Sequence, residues 1–417
     1  MMSPDRMRWI DRWIGVPACW ILTVARRLFA ALGRPTPAPS ILPRSVLFVE
    51  LAEMGTTVLA YPALQRLKAL SPDAQVYFLI FKHIAESVVA LEVIPESRVI
   101  TIEASNLWTV ARDIWRFMRL ARRHDIDTAI NLETFVRLST ILCFLSGARR
   151  RVGFHAFTQQ GLYCGRLLTH EVLYNPRLHI WQSLVTLVTA LWEPPGTVPL
   201  GKVPTPGPFD GRVPRIQTGE AGRQRIRDLL YRETPQVEGK RLIVINPNAS
   251  ALLPIRKWPL DRYAALVDRL LRDVRNACVI TGAASERDNA RFIVDRVRSD
   301  RVVDLTGKTT LRELLDLFNV ADVLVSNDSG PAQFAALTGI RAFVFFGPET
   351  PALYGPLSDR CVPLYAHYAC SPCVTAYNQR RSPCTNNLCV QHFDVETVLG
   401  LVTSSLESAD EYDGRPT

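Results

Sequence analysis

The stretch Ala321–Gly347, ADVLVSNDSGPAQFAALTGIRAFVFFG, decides the fold. Val323–Val325 is a short apolar run that stops at Ser326-Asn327-Asp328-Ser329-Gly330. Pro331 then opens a helical pattern, Thr338-Gly339 closes it, and Phe343–Phe346 runs on to Gly347-Pro348. The spacing predicts one strand–helix–strand unit of a parallel sheet, with turn residues at each junction. The loop after such a strand points free backbone N–H groups outward from a helix start, where an anion gains about 0.3–1 kcal/mol. Asp328 and Ser329 suit plain helix capping equally well. The loop by itself leaves both uses open.

The same alternation extends on either side. Leu242–Asn246, Ala277–Thr281 and Val302–Leu305 read as strands, with helical periods at Tyr263–Val274 and Leu311–Ala321. An earlier series has strands at Val46–Leu51, Val76–Phe81, Val99–Ile102 and Thr128–Leu132, with helices at Val58–Leu70, Ile84–Leu91 and Trp108–Arg123. Between the series, Trp192–Pro214 is too rich in proline for a helix or a central strand and marks a boundary. The expected architecture is α/β, two Rossmann-like domains facing across a cleft. Its parts are a helix and connector over 1–40, domains over 41–215 and 216–405, and a tail over 406–417.

A chain of 417 residues is long for one core, and 47% hydrophobic with 21% charged residues describes a globular protein. The formal charge of +9 points to anionic partners. No zinc-finger, RNA-binding aromatic motif or lysine-rich tail appears, which ranks nucleic acid last. Neither half carries G-x-G-x-x-G after its first strand, which argues against a dinucleotide oxidoreductase. Near the N-terminus, Arg6, Arg8, Arg12, Arg26, Arg27 and Arg34 flank Trp9, Trp13 and Trp20. The apolar run there is too short to span about 30 Å of hydrocarbon. An amphipathic helix in the headgroup region and a helix packed on its own domain are the two readings. With no export signal, the expected location is the cytoplasm, at the inner face of the membrane.

The motifs, taken in order, resemble glycosyltransferase family 9, the ADP-heptose:lipopolysaccharide heptosyltransferases. The resemblance rests on Met54-Gly55, Tyr61-Pro62-Ala63-Leu64, Ile245–Ser250, Arg256-Lys257-Trp258-Pro259, Thr281-Gly282 with Glu286, Asp328-Ser329-Gly330 and Phe346–Pro351. It implies the two-domain GT-B fold and inverting sugar transfer from a nucleotide-diphosphate donor, ADP-heptose or similar. The acceptor would be lipid-linked or a polysaccharide, and no cofactor would be needed for catalysis. It also implies that a basic residue of the Arg256-Lys257 pair contacts phosphate and sugar. Glu286 would hold the ribose, though acids are also favoured in a first helical turn.

Donor-binding expectations are Asn248, Ser250, Arg256, Lys257, Thr281, Gly282, Glu286, Thr306, Gly307, Asp328, Ser329, Gly330 and Gln333. Two positions depart from the family. Its general base, an Asp after Met-Gly, is here Thr56, which cannot accept a proton at neutral pH, and its histidine after the Asp-Ser-Gly loop is Gln333. Glu53, with Glu50 and Glu133 as alternates, is the expected substitute base. Cys370-x2-Cys373-x10-Cys384-x4-Cys389 has metal-ligand spacing, and a structural zinc, a disulfide pair or free thiols could pin the loop near Tyr365–Asn387 beside the donor site. The runner-up function is a non-catalytic homologue that binds donor or acts as a scaffold.

Overall fold

The computed structural model describes residues 4–31, 42–157, 161–194, 197–207, 213–250 and 253–413. Contacts divide the chain into two units, Met1–Phe209 with Ala376–Arg380, and Asp210–Thr375 with Arg381–Thr417.

Unit 1 is built on strands β1 (Ser45–Val49), β2 (Gln75–Phe81), β3 (Val99–Ile102), β4 (Thr128–Asn131), β5 (Arg150–His155) and β6 (His170–Leu173). All pair in parallel in the order β3-β2-β1-β4-β5-β6. Its helices are α1 (Pro4–Trp13), α2 (Gly15–Ala31), α3 (Met54–Leu59), α4 (Tyr61–Leu70), α5 (Glu86–Val89), α6 (Leu107–Arg123), α7 (Arg137–Leu145) and α8 (Ile180–Thr189). Strand β1 is buried at every position, as an apolar run covered by helices on both faces should be.

Unit 2 repeats the plan with β7 (Arg241–Asn246), β8 (Asn276–Ile280), β9 (Val302–Asp304), β10 (Val323–Asn327), β11 (Arg341–Phe345) and β12 (Cys361–Leu364). Their order is β12-β11-β10-β7-β8-β9, again all parallel. Helices α9 (Glu220–Glu233), α10 (Leu260–Leu270), α11 (Arg287–Val297), α12 (Leu311–Val320), α13 (Gly330–Ala335), α14 (Pro351–Tyr354), α15 (Leu388–Gln391) and α16 (Val395–Asp413) surround it. The core is anchored by fully buried Trp258, whose ring stacks on Phe345 at 4.7 Å and meets Tyr263 edge-on at 4.9 Å.

Each sheet follows the same connection rule: three strands step one way from β1 or β7, and the fourth crosses back to pair with that first strand. The crevice at this reversal, β1/β4 in unit 1 and β7/β10 in unit 2, is where open α/β sheets bind ligands.

Several expectations change. The N-terminal helix is two helices, and they dock on unit 1. Asp11 accepts from the N–H groups of Arg137 (3.1 Å) and Leu138 (3.2 Å), and pairs with the Arg137 guanidinium at 2.7 Å. Cys19 is fully buried, and Thr23 Oγ1 accepts from Arg166 N at 3.0 Å. The opposite face leaves Trp9, Trp13, Ile14, Trp20 and Ile21 more than half exposed. Packing and an outward apolar face therefore coexist. No helix among the described residues is long and apolar enough to cross a membrane.

The helix expected over Val58–Leu70 starts earlier and breaks at Ala60 into α3 and α4, with Pro62 in the first turn of α4. Between Ile84 and Leu91 only the short α5 forms.

Candidate functional site

At the switch point of unit 2, asparagines tie the loops together. Asn327, fully buried at the end of β10, accepts from Trp258 N (2.8 Å) and donates to Asn248 O (3.1 Å). Asn246, ending β7, donates to the Thr281 carbonyl at 3.2 Å and hydroxyl at 3.1 Å. Asn248 donates to Thr281 O at 3.3 Å and accepts from Asn289 at 2.7 Å. Asn387 donates to the carbonyls of Ile255 (2.7 Å) and Lys257 (2.9 Å), fixing the turn that presents Arg256. The loops after β7, β8 and β10 are thus held by amides whose bonds are made at long range.

Within this frame Arg256 Nη1 donates to Asp328 Oδ2 at 3.0 Å, with both side chains largely buried at 14% and 7% exposure. Among the described residues, its Nε is buried without a hydrogen-bond partner. A buried donor of this kind costs about 1–3 kcal/mol while nothing meets it. Asp328 thus holds the arginine in place. Helix α13 is only six residues long and Ser329 makes no side-chain cap. The positive charge of the site therefore comes from Arg256 more than from a helix dipole.

Buried Gln333 turns its amide nitrogen to Tyr354 O at 2.7 Å, leaving its Oε1 buried without a partner among the described residues. Ser329 Oγ lies 3.3 Å from Ser326 Oγ, and Ser250 is exposed. Gly282 and Gly307 keep two loops in register: Gly307 N donates to Gly282 O at 2.8 Å. A Cβ on Gly282 would come within 2.6 Å of the Asn248 amide, and one on Gly307 within 2.7 Å of the Ala284 backbone. Thr306 is buried, with its hydroxyl unpartnered among the described residues. Glu286 accepts from Ala283 N at 2.7 Å, and burial pushes its carboxyl up despite the nearby Lys257 charge. An open hollow beside these loops is lined by Pro254, Lys257, Trp258, Thr385 and Asn387.

At the switch point of unit 1 three carboxylates gather. Glu50 follows β1 and accepts from Glu53 N at 3.2 Å; Glu133 follows β4 and accepts from Leu51 N at 2.6 Å. Burial, then the Glu133 and Glu53 charges, push the Glu50 carboxyl well up. Glu133 is pushed up to about 7, mostly by burial, with Glu53 and Asp11 adding to it. Glu53 is the accessible member, its side chain 31% exposed. Its Oε2 accepts from Thr56 Oγ1 at 3.2 Å and its Oε1 is ion-paired with Arg380. Thr56 is thus a buried donor to Glu53, the carboxylate expected to stand in for the family's Asp. Two residues past Glu133, Phe135 holds a left-handed φ of 59°, a strained state for a bulky side chain.

Sequence reasoning missed Arg380 and Tyr377. The Tyr377 ring lies 5.7 Å from Phe135, and its hydroxyl donates to Tyr174 O at 3.1 Å. The loop that was expected beside the donor site therefore sends Ala376–Arg380 into unit 1, while Asn387 supports the Arg256 turn.

Zinc, a disulfide pair and free thiols were the alternatives for the cysteine cluster. All nine cysteines are free thiols, and no three His, Cys, Asp or Glu among the described residues are placed to share a metal. Cys373 accepts from Ser382 Oγ at 3.2 Å, Cys384 donates to Asn386 O at 3.3 Å, and Cys389 is buried beside Gly347. The four remain near enough that Cys373, Cys370 and Cys384 help burial push the Cys389 thiol up.

Comparison with known proteins agrees with this layout. The Escherichia coli ADP-heptose lipopolysaccharide heptosyltransferase II structure superposes with a TM-score of 0.67 at 17% identity, covering 88% of this chain and 99% of that one. That likeness establishes the GT-B fold. Lipooligosaccharide heptosyltransferase 2 of Haemophilus influenzae is 31% identical over 110 residues, 26% of this chain and 32% of that protein. Lipopolysaccharide heptosyltransferase 3 of Escherichia coli is 23% identical over 320 residues, 75% of this chain and 86% of that protein. The chain spans about a third to a half of the length of several curated relatives it matches. The model of glycosyltransferase family 9 (heptosyltransferase) matches residues 114–382, well over half of the sequence. This chain belongs to glycosyltransferase family 9.

Proposed function

We propose that the protein is an inverting glycosyltransferase of envelope glycan synthesis that takes its sugar, a heptose or a close relative, from a nucleotide-diphosphate donor. The observation that carries this reading is Arg256, buried at the β7/β10 switch point with one nitrogen on Asp328 and another unengaged. Arg256 and Lys257 bind the diphosphate, and Glu286 with Thr306 borders the nucleoside. The acceptor hydroxyl attacks the anomeric carbon as the bond from that carbon to the diphosphate oxygen breaks. The negative charge left on the diphosphate rests on Arg256, so the step needs no metal. The hydroxyl proton passes to Glu53, the carboxylate of unit 1 that solvent reaches.

The acceptor is lipid-linked or a polysaccharide, met at the cytoplasmic face of the membrane. The outward tryptophans of α1 and α2 support that location, because indole rings flanked by arginine favour the headgroup region. A second reading, a donor-binding homologue without turnover, is favoured by Thr56 and by the Arg380 ion pair on Glu53. Mass spectrometry of nucleotide sugar retained by the purified protein, followed by transfer to native membranes, separates the two. Retained donor with transfer supports the enzyme, retained donor without transfer supports the binder, and no affinity for any nucleotide-diphosphate sugar contradicts both.

A further inference from the structure

Helix α6 presents a face that the donor and base sites do not use. Asn106 starts it, its side chain accepting from Thr109 N at 2.9 Å. Asp113, Phe117 and Ala121 are buried on its inner side. Asp113, the one acid in the helix, is turned inward, where Glu103 N donates to it at 3.0 Å and Arg112 pairs with it at 3.1 Å. The outer side keeps arginines and no acid. It also keeps two indoles in water: Trp108 is 81% exposed and Trp115 59%. Arg119 lies over the Trp115 ring at 4.7 Å, so charge and aromatic surface are presented together.

Exposed tryptophans on a folded surface mark a contact, since indoles bury large apolar area when they can. Trp108, Arg112, Trp115 and Arg119 recur at helical spacing and so form one stripe along the helix. A helix of 17 residues is about 25 Å long, and its arginines suit lying on a bilayer, not crossing it. Topology adds an independent observation. The β3-to-β4 and β4-to-β5 crossovers step in the same direction, so right-handed connections place α6 and α7 on one face of the sheet. Helix α2 packs on α7, which brings the outward tryptophans of the N-terminal helices to that same side.

We propose that the outer face of α6, Trp108 and Trp115 with Arg112, Arg116 and Arg119, is a membrane-contact surface that seats on the phosphate headgroups of an anionic bilayer. The charge is complementary to phosphate, and the indoles sit at headgroup depth while the guanidinium groups stay among the phosphates. This surface is separate from α1 and α2, and it does not depend on which sugar is transferred.

Flotation of the full chain with vesicles tests it, using phosphatidylcholine alone and phosphatidylcholine mixed with phosphatidylglycerol. The wild type floats with the anionic vesicles and not with the neutral ones. Trp108→Ser with Trp115→Ser releases it, and Arg116→Glu with Arg119→Glu weakens binding by at least about 25-fold, near fivefold for each charge removed. These side chains are exposed, so thermal unfolding stays at the wild-type temperature and transfer to a soluble acceptor is unchanged. Wild-type flotation by both double variants would overturn the proposal and leave α1 and α2 as the only contact. So would a wild type that ignores anionic vesicles, whether or not it retards a DNA oligonucleotide through the same arginines.

Discussion

The ends of β4 and β10 occupy the same topological position in two sheets of identical strand order, and both are followed by a buried acid. In unit 2 that acid is Asp328, and Arg256 meets it at 3.0 Å. In unit 1 it is Glu133, and what it meets is Glu50 and Glu53. One switch point therefore holds a compensated charge pair with one arginine donor unpartnered among the described residues. At the other, burial and then the neighbouring like charges push the Glu50 and Glu133 carboxyls up. Identical chain topology thus carries an arginine–carboxylate pair at one switch point and a carboxylate cluster at the other, according to which distant side chains arrive. At the two departures from the family, Thr56 donates to Glu53, and Gln333 donates to the Tyr354 backbone carbonyl.

The comparison breaks most visibly at Glu53. Glu53→Gln should lower the transfer rate by about 10²–10⁴ with little change in donor affinity, the usual loss on removing a general base. Steady-state transfer to native membranes checks it; an unchanged rate moves the role to Glu133 or Glu50. Arg256→Leu comes next. It leaves Asp328 buried without its partner, and such a break costs about 3–5 kcal/mol. Denaturant unfolding should show that loss, and nucleotide binding should go with it.

Glu133→Gln sharpens the contrast from the other side. The folded pKa of Glu133 is raised, so the folded state binds the proton more tightly than the unfolded chain does. The stability this confers is complete below the unfolded value near 4.5 and is lost as pH rises through about 7. The facing charged groups are Glu50, Glu53 and Asp11, with Cys143 also close. The amide variant carries no such charge. It should melt higher than wild type at pH 8, by on the order of 2–3 kcal/mol, and near it at pH 5. Equal melting temperatures at both values would contradict a raised Glu133 pKa. Arg380→Ala should have the smallest effect on stability, within about 1 kcal/mol, because Glu53 is partly exposed. Freed of that partner, Glu53 should sustain transfer at the wild-type rate or faster.

Most of the fold was legible because buried parallel strands announce themselves as apolar runs, and β2, β3, β7 and β8 fall within a residue or two of where periodicity puts them. The strands it missed are β5, β6 and β12. Arg150-Arg151 opens the first with two charges, and the other two are edges; β12 even carries Pro363, which an edge tolerates. Arg256, Glu286 and Asp328 were legible only as positions of the family motifs that the sequence resembles. Their connections were not. Asn327 reaches Trp258 across 69 residues and Arg380 reaches Glu53 across 327, and no local pattern encodes such pairs.

The central claim is that the Arg256–Asp328 pair forms a diphosphate site, and not merely a structural ion pair. Calorimetric titration of ADP into wild type and an Arg256→Met, Asp328→Asn double variant tests it most directly. Removing both charges together avoids a stranded buried ion, so the double variant should fold normally. The account predicts a folded protein whose ADP affinity falls about ten- to a hundredfold, the worth of a charged hydrogen bond to phosphate. A folded double variant that binds ADP as tightly as wild type would contradict it.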